Sequence, residues 1–150
     1  MKPSSDDQLR CGLDAWEHFS HPADMGIRGL GRTRQAAYAQ AARALTALTV
    51  DLDTIEPCTC VTVACDEADP ELLLVAWLNA ILFEMATRRM VFGRFNTELA
   101  PAGLKAELWG EALDPAKHHP STEVKAATYA ALRVEQQPTG QWMAQCIVDM

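Results

Sequence analysis

Apolar and polar positions alternate over Trp16–Phe19 (WEHF), a period of two that predicts a short β-strand. After a turn containing Pro22, Met25–Leu30 (MGIRGL) reads as a second strand, with glycines where another backbone approaches closely. Gly31 ends it, and the period then changes. Ala37, Ala41, Ala44 and Leu48 recur at spacings of four, three and four. They line one face of a helix running from Arg34 to about Leu48, with Thr33 as its N-cap. A face of such small side chains predicts close packing on a neighbour. Asp51, Asp53 and Pro57 mark a loop, and the alternating, β-branched Cys58–Cys65 (CTCVTVAC) predicts a strand. Asp69-Pro70-Glu71 is a compact helix start: an N-cap, a proline in the first turn, and an acid near the positive end of the dipole. The helix it opens, to about Thr87, is apolar almost all round until Glu84, with Asn79 as the one interruption between Leu72 and Phe83. That pattern predicts burial on several sides.

From Met90 onward the pattern is β. Met90–Leu99 and Leu104–Leu113 flank the turn Ala100-Pro101-Ala102-Gly103, and Asp114–Pro120 reads as a loop. Val124–Gln136 and Gln141–Met150 flank Pro138-Thr139-Gly140, a hairpin signal. About seven strands and two helices, without an internal repeat, predict an α+β two-layer sandwich: a mostly antiparallel sheet packed with two helices. Residues 1–14 are polar and unpatterned and read as a flexible N-terminal extension, leaving 15–150 as a single domain.

Composition narrows the function. A chain of 150 residues suits one domain, and a chain this size buries roughly 68–70% of its unfolded surface. The net charge of -7, from 13 basic and 20 acidic residues, argues against a nucleic-acid-binding surface, because phosphate contacts need clustered Lys and Arg. The longest apolar run, Leu72–Phe83, falls short of the ~20 residues a bilayer requires, so no membrane association is expected. The N-terminus has no apolar stretch of the secretory kind, and the five cysteines are an odd number. Together these predict reduced thiols in a cytoplasmic protein.

The candidate chemistry is sparse. On a strand Cys58 and Cys60 share a face and Cys65 takes the other, so the three cannot converge on one metal, and no CxxC pair exists. His118 and His119 are adjacent in a loop, and His18 sits on a short strand, with no second ligand near in sequence. The spacing of Gly26, Gly29 and Gly31 is not that of a dinucleotide loop, and no nucleophile elbow, P-loop or HExxH motif is present. Asp24 reads as a turn-capping residue at a strand start and Asp149 as a solvated carboxylate near the chain end. Nothing in the residues themselves brings these two together.

A likeness to a known family adds to this reading. WEHFSHPADMGIRGLG (residues 16–31) resembles the opening signature of the archease family, which reads like DHTADIGI after an aromatic strand. Leu72–Asn79 resembles that family's LL..WL helix, and Gly110-Glu111-Ala112-Leu113-Asp114 with His118 and Val124–Tyr129 resembles its GE.LD…H…VKAVTYH stretch. The final strand, Trp142 to Met150, resembles its terminal strand closing on Asp-Ile. The departures are Ser20-His21-Pro22 for Asp-His-Thr, Ala130 for the His after the VKAVTY block, Ala36 where an acid would complete a capping box, and Met150 for Ile.

The resemblance implies an accessory protein of the RtcB-type RNA ligase of tRNA splicing and RNA repair, not itself an enzyme, that promotes guanylylation and multiple turnover of the ligase. It also implies a divalent metal site at Asp24, Asp149 and Met150. Two carboxylates and a chain-end carboxylate or carbonyl are hard oxygen donors that suit Ca²⁺, Mg²⁺ or Mn²⁺. The acidic pair would work by docking at the ligase, and the ligase rather than this chain would hold the RNA; Lys125 reads as a surface lysine at a strand start, with a positive contact to ligase or phosphate as the alternative. The alternatives are a free-standing divalent-metal-binding module, a chaperone-like adaptor, and a small metal-dependent hydrolase, the last disfavoured by the lack of an evident general base.

Overall fold

The computed structural model describes residues 13–22 and 24–150. Along the chain these form β1 (Ala15–His21), β2 (Asp24–Gly31), α1 (Arg34–Ala47), a 3-10 turn (Leu52–Thr54), β3 (Thr59–Asp66), α2 (Pro70–Arg88), β4 (Met90–Ala100), β5 (Gly103–Ala112), α3 (Pro115–His118), β6 (Ala126–Ala127), β7 (Arg133–Gln136) and β8 (Trp142–Asp149). The α+β class and the antiparallel pairing agree with the sequence pattern. The strands, however, divide between two sheets. One runs β1-β2-β8-β6, with β7 also paired to β8; the other runs β3-β5-β4. The first β-hairpin, β1–β2, therefore completes its sheet with the last strand of the chain, through the register Met25↔Val148 to Gly31↔Trp142. Both helices touch both sheets, and one hydrophobic core draws on all four bodies: Ile27 and Val148, Ala41 and Leu45, Trp77 and Leu78, Phe92 and Leu108.

Local chemistry accounts for the helices. Thr33 Oγ1 accepts the N–H of Ala36 (3.1 Å) at the start of α1. The small face of α1 lies on β2 so closely that a Cβ added at Gly29 would collide with the backbone of Ala37 and Ala41. Asp69 Oδ1 accepts from Glu71 and Leu72 N–H (2.9 and 3.0 Å) to open α2. The two helices are clasped by Trp77 Nε1, which donates to the Tyr38 carbonyl (2.9 Å), and by the Tyr38 hydroxyl, which donates to the Pro70 carbonyl (2.5 Å). Burial pushes the Tyr38 phenol well above its ordinary range.

Several expectations are revised. Helix α2 is buried along Leu73, Leu74, Val75, Trp77, Leu78 and Ile81, yet Leu72 (42%) and Phe83 (64%) are exposed, so one side faces solvent. At 19 residues, with a mean hydropathy of 1.3 over an 18-residue window, it also meets the length and composition of a membrane span, contrary to the reading of its shorter apolar run; its buried residues pack into the core between the sheets. The stretch 124–136 is not one strand. It breaks after β6, because Thr128 Oγ1 donates to the Ile147 carbonyl and Ile147 N–H donates to the Ala130 carbonyl, and it resumes at β7 after Ala131 (φ 52°). Asp114–Pro120 is not a plain loop: Asp114 caps α3, a single helical turn with Pro115 first. Of the expected extension, residues 1–12 lie outside the described residues, whereas Leu13 and Asp14 are tied down, by Gln141 Nε2 to the Leu13 carbonyl (3.0 Å) and by Arg32 N–H to Asp14 Oδ1 (3.0 Å).

Candidate functional site

The pairing β1-β2-β8-β6 builds one end of the first sheet from four separate parts of the sequence. His21 pairs with Asp24, Met25 with Val148, and Ala126 with Asp149. The paired β2–β8 register ends at Met25↔Val148, and continuing it by one step would set Asp24 opposite Asp149. Side chains of directly opposed residues share a face, with Cβ atoms about 5 Å apart. Gly29 and Ile27 face α1, so Asp24, an odd number of positions from each, lies on the outer face with Gly26 and Arg28. Asp24, Asp149 and Met150 are all exposed. Among the described residues neither carboxylate is in an ion pair. Like charges directly opposed on adjacent strands repel, and a divalent cation held between them would relieve this. The donor set is all hard oxygen, the chemistry of Ca²⁺, Mg²⁺ or Mn²⁺ rather than of soft metals.

The same outer face continues as an ordered platform. The Phe19 ring covers Gly26, where an added Cβ would strike it. The Arg28 guanidinium stacks on Phe19 (4.4 Å to the centroid) and bonds Glu17 (2.5 Å) and Gln145 Oε1 (2.8 Å). Gln145 Nε2 in turn donates to the Ala131 carbonyl (3.1 Å). The opposed acids therefore stand at the rim of a rigid sheet rather than on a loose tail.

A second polar cluster sits at the far sheet. The backbone N–H of Glu56, Lys117 Nζ and His118 Nε2 all bond the Glu111 carboxylate (2.9–3.0 Å), which these donors, the Glu56 N–H foremost, hold down to about 2. His118 is buried, and its Nδ1 accepts the Asp114 N–H (2.9 Å), so the ring carries its proton on Nε2 and donates it to Glu111. This buried ring anchors α3 to β5. Glu56, Cys58 and Glu111 lie within 4.8 Å of one another, but Lys117 Nζ bridges Glu56 (3.3 Å) and Glu111 (2.9 Å) and already supplies the positive charge. Sequence reasoning missed this cluster. The signal available was the Asp114-Pro115 helix start with His118 four residues after Asp114, which folds the histidine back on β5. As the alternation required, Cys58 and Cys60 are exposed and Cys65 is buried; these and Cys146 are free thiols, and Cys11 lies outside the described residues.

The chain matches the model of the Archease protein family (MTH1598/TM1083) over residues 16–150. It belongs to the archease family. The protein archease of Thermococcus gammatolerans is 42% identical over 139 residues, covering 90% of this chain and 98% of that one. That of Pyrococcus furiosus is 37% identical over 139 residues, with the same two shares, 90% and 98%. The solution structure of Methanobacterium thermoautotrophicum protein 1598 has the same fold (TM-score 0.74, 24% identity, 91% of this chain and 99% of that one). So does the crystal structure of a Thermotoga maritima protein titled an archease and possible chaperone (TM-score 0.54, 16% identity, 89% and 96%). The archease signature read from residues 16–31 thus spans β1 and β2, and the terminal-strand signature is β8, their partner in the sheet.

Proposed function

We propose that this archease-family protein is a divalent-metal-binding accessory factor, not itself an enzyme, that acts in the cytoplasm on an RtcB-type RNA ligase and promotes its guanylylation and repeated turnover. The observation that supports the metal reading best is the register that sets Asp24 opposite Asp149, with Met150 next in the chain. Asp24, Asp149 and a main-chain oxygen of Met150 would hold the ion. Three such groups are fewer than the roughly six to eight oxygens that Ca²⁺ takes, so waters or a partner's groups complete the shell. Bound there, the cation would supply concentrated positive charge where a nucleotide or phosphate meets the docked pair. The chain's own contribution is positional: two exposed carboxylates on a stiff sheet rim can reach into a partner's cleft, and its net charge of -7 keeps it off the RNA backbone.

Ligase guanylylation measured with wild type, Asp24→Ala, Asp149→Ala and the double variant tests the proposal, alongside calorimetry with Mn²⁺ and Ca²⁺. Each single variant should lose most of the stimulation and weaken metal binding by at least tenfold, the scale for losing a charged ligand (about 1.4 kcal/mol or more). Full stimulation by the double variant defeats the metal-dependent part and favours an adaptor acting by contact alone. Tight metal binding with no effect on the ligase favours a free-standing metal-binding module.

A further inference from the structure

Asn79 is the one polar side chain within the apolar run Leu72–Phe83, and the archease reading gives it no role. Its place in the fold does. Strand β6 is two residues long and ends the order β1-β2-β8-β6, so its outward backbone groups have no further strand to bond. Lys125 N–H donates to the Asp149 carbonyl (2.8 Å) and Thr128 N–H to the Ile147 carbonyl (3.0 Å), both toward β8. Ala127 N–H, between them, turns the other way and donates to Asn79 Oδ1 (2.9 Å). The same helix serves β7, where Val134 N–H meets Glu71 Oε2 (3.4 Å). Helix α2 thus takes the place of the missing neighbouring strand. A two-residue strand with no such partner would fray, since so short a pairing leaves the ordering entropy of its residues uncompensated.

We infer that Asn79 is a positioning residue: its amide oxygen locks β6 onto the end of β8 and thereby holds Asp149 opposite Asp24. The inference rests on the metal site proposed above for its consequence in binding, and on the hydrogen bond alone for its consequence in structure. Among the described residues, β6 is the one strand that pairs with Asp149 on the side away from β2. Releasing it frees the Asp149 carbonyl from Lys125 N–H and lets the last residues of the chain swing away from Asp24. The role matches that of groups that orient metal ligands without touching the ion.

Asn79→Leu, close in size and without the acceptor, and Asn79→Asp, which keeps an acceptor oxygen at the same reach, test this in the full chain. Amide hydrogen exchange is read at Ala127 and Asp149 in metal-free protein, and Mn²⁺ affinity by calorimetry. In the Leu variant, exchange at both amides should accelerate at least tenfold while β3–β5 keep their protection, and the Mn²⁺ dissociation constant should rise about tenfold, the low end for an outer group that orients a ligand. The Asp variant should restore both. Unchanged exchange at Asp149 in the Leu variant overturns the inference. So does accelerated exchange with wild-type Mn²⁺ affinity. If the wild-type protein binds no Mn²⁺, the metal reading fails by itself, and exchange at Asp149 alone decides what Asn79 does.

Discussion

Single residues here change meaning once their neighbours are known. Asp24 reads locally as a turn cap and Asp149 as a tail acid, because a side chain's sequence neighbours reveal nothing of a partner across a sheet. Glu111 was legible only as part of a family motif; the structure surrounds its carboxylate with the Glu56 N–H, Lys117 and His118. Its folded value of about 2 lies below the ordinary 4.5. A depressed carboxylate contributes its stabilisation above the unfolded value and loses it as pH falls toward the folded one. Glu111→Gln should therefore lower the melting temperature most near neutral pH, and the gap to wild type should close as pH drops from 4.5 toward 2. Thermal unfolding of both proteins across that range checks this; a gap that stays constant with pH would show that the charge of Glu111 is irrelevant.

Elements were readable where short-range chemistry dominates. The Thr33 and Asp69 caps start α1 and α2 where the pattern places them, since an N-cap bond spans only two or three residues. The run 124–136 misled because Thr128–Leu132 (TYAAL) holds no Gly or Pro to mark a break, while the chain there bonds to β8 through a side chain and turns out of register: Thr128 Oγ1 donates to the Ile147 carbonyl and accepts from Ala130 N–H. The stripe of alanines on α1 foretold close packing, and its counterpart is Gly29 on β2. Gly29→Ala would drive a methyl group into the backbone of α1, which cannot yield as a flexible side chain does. The cost should be about 3 kcal/mol, the upper end of ordinary overpacking. Urea denaturation gives that number; a loss under about 1 kcal/mol would mean that the α1–β2 contact adjusts more freely than close packing allows.

At the scale of the molecule, the two sheets share one core through α1 and α2. Cys146 is buried in the first sheet and Cys65 in the second. Burial pushes the Cys146 thiol up to about 12 and raises that of Cys65, so each is both shielded and protonated in the folded chain. If the shared core makes the fold cooperative, both thiols should become open to alkylation at the same urea concentration, while Cys58 and Cys60 react in the native protein. Mass spectrometry after pulsed alkylation follows each site. Exposure of Cys65 well before Cys146 would show that the two sheets open separately.

By itself the sequence determined most of the elements and, through its order of motifs, the family, because caps, turns and hydrophobic period act over a few residues. It also carried the acids of the candidate site, but as two unrelated side chains. Only the tertiary structure decided that the strands form two sheets and that β8 closes the first one between β2 and β6. Strand pairing between distant segments is set by which faces can be buried together, a property of the whole packed chain. The meeting of Asp24 with Asp149, and the anchoring of β6 by Asn79, follow from that pairing and from nothing local.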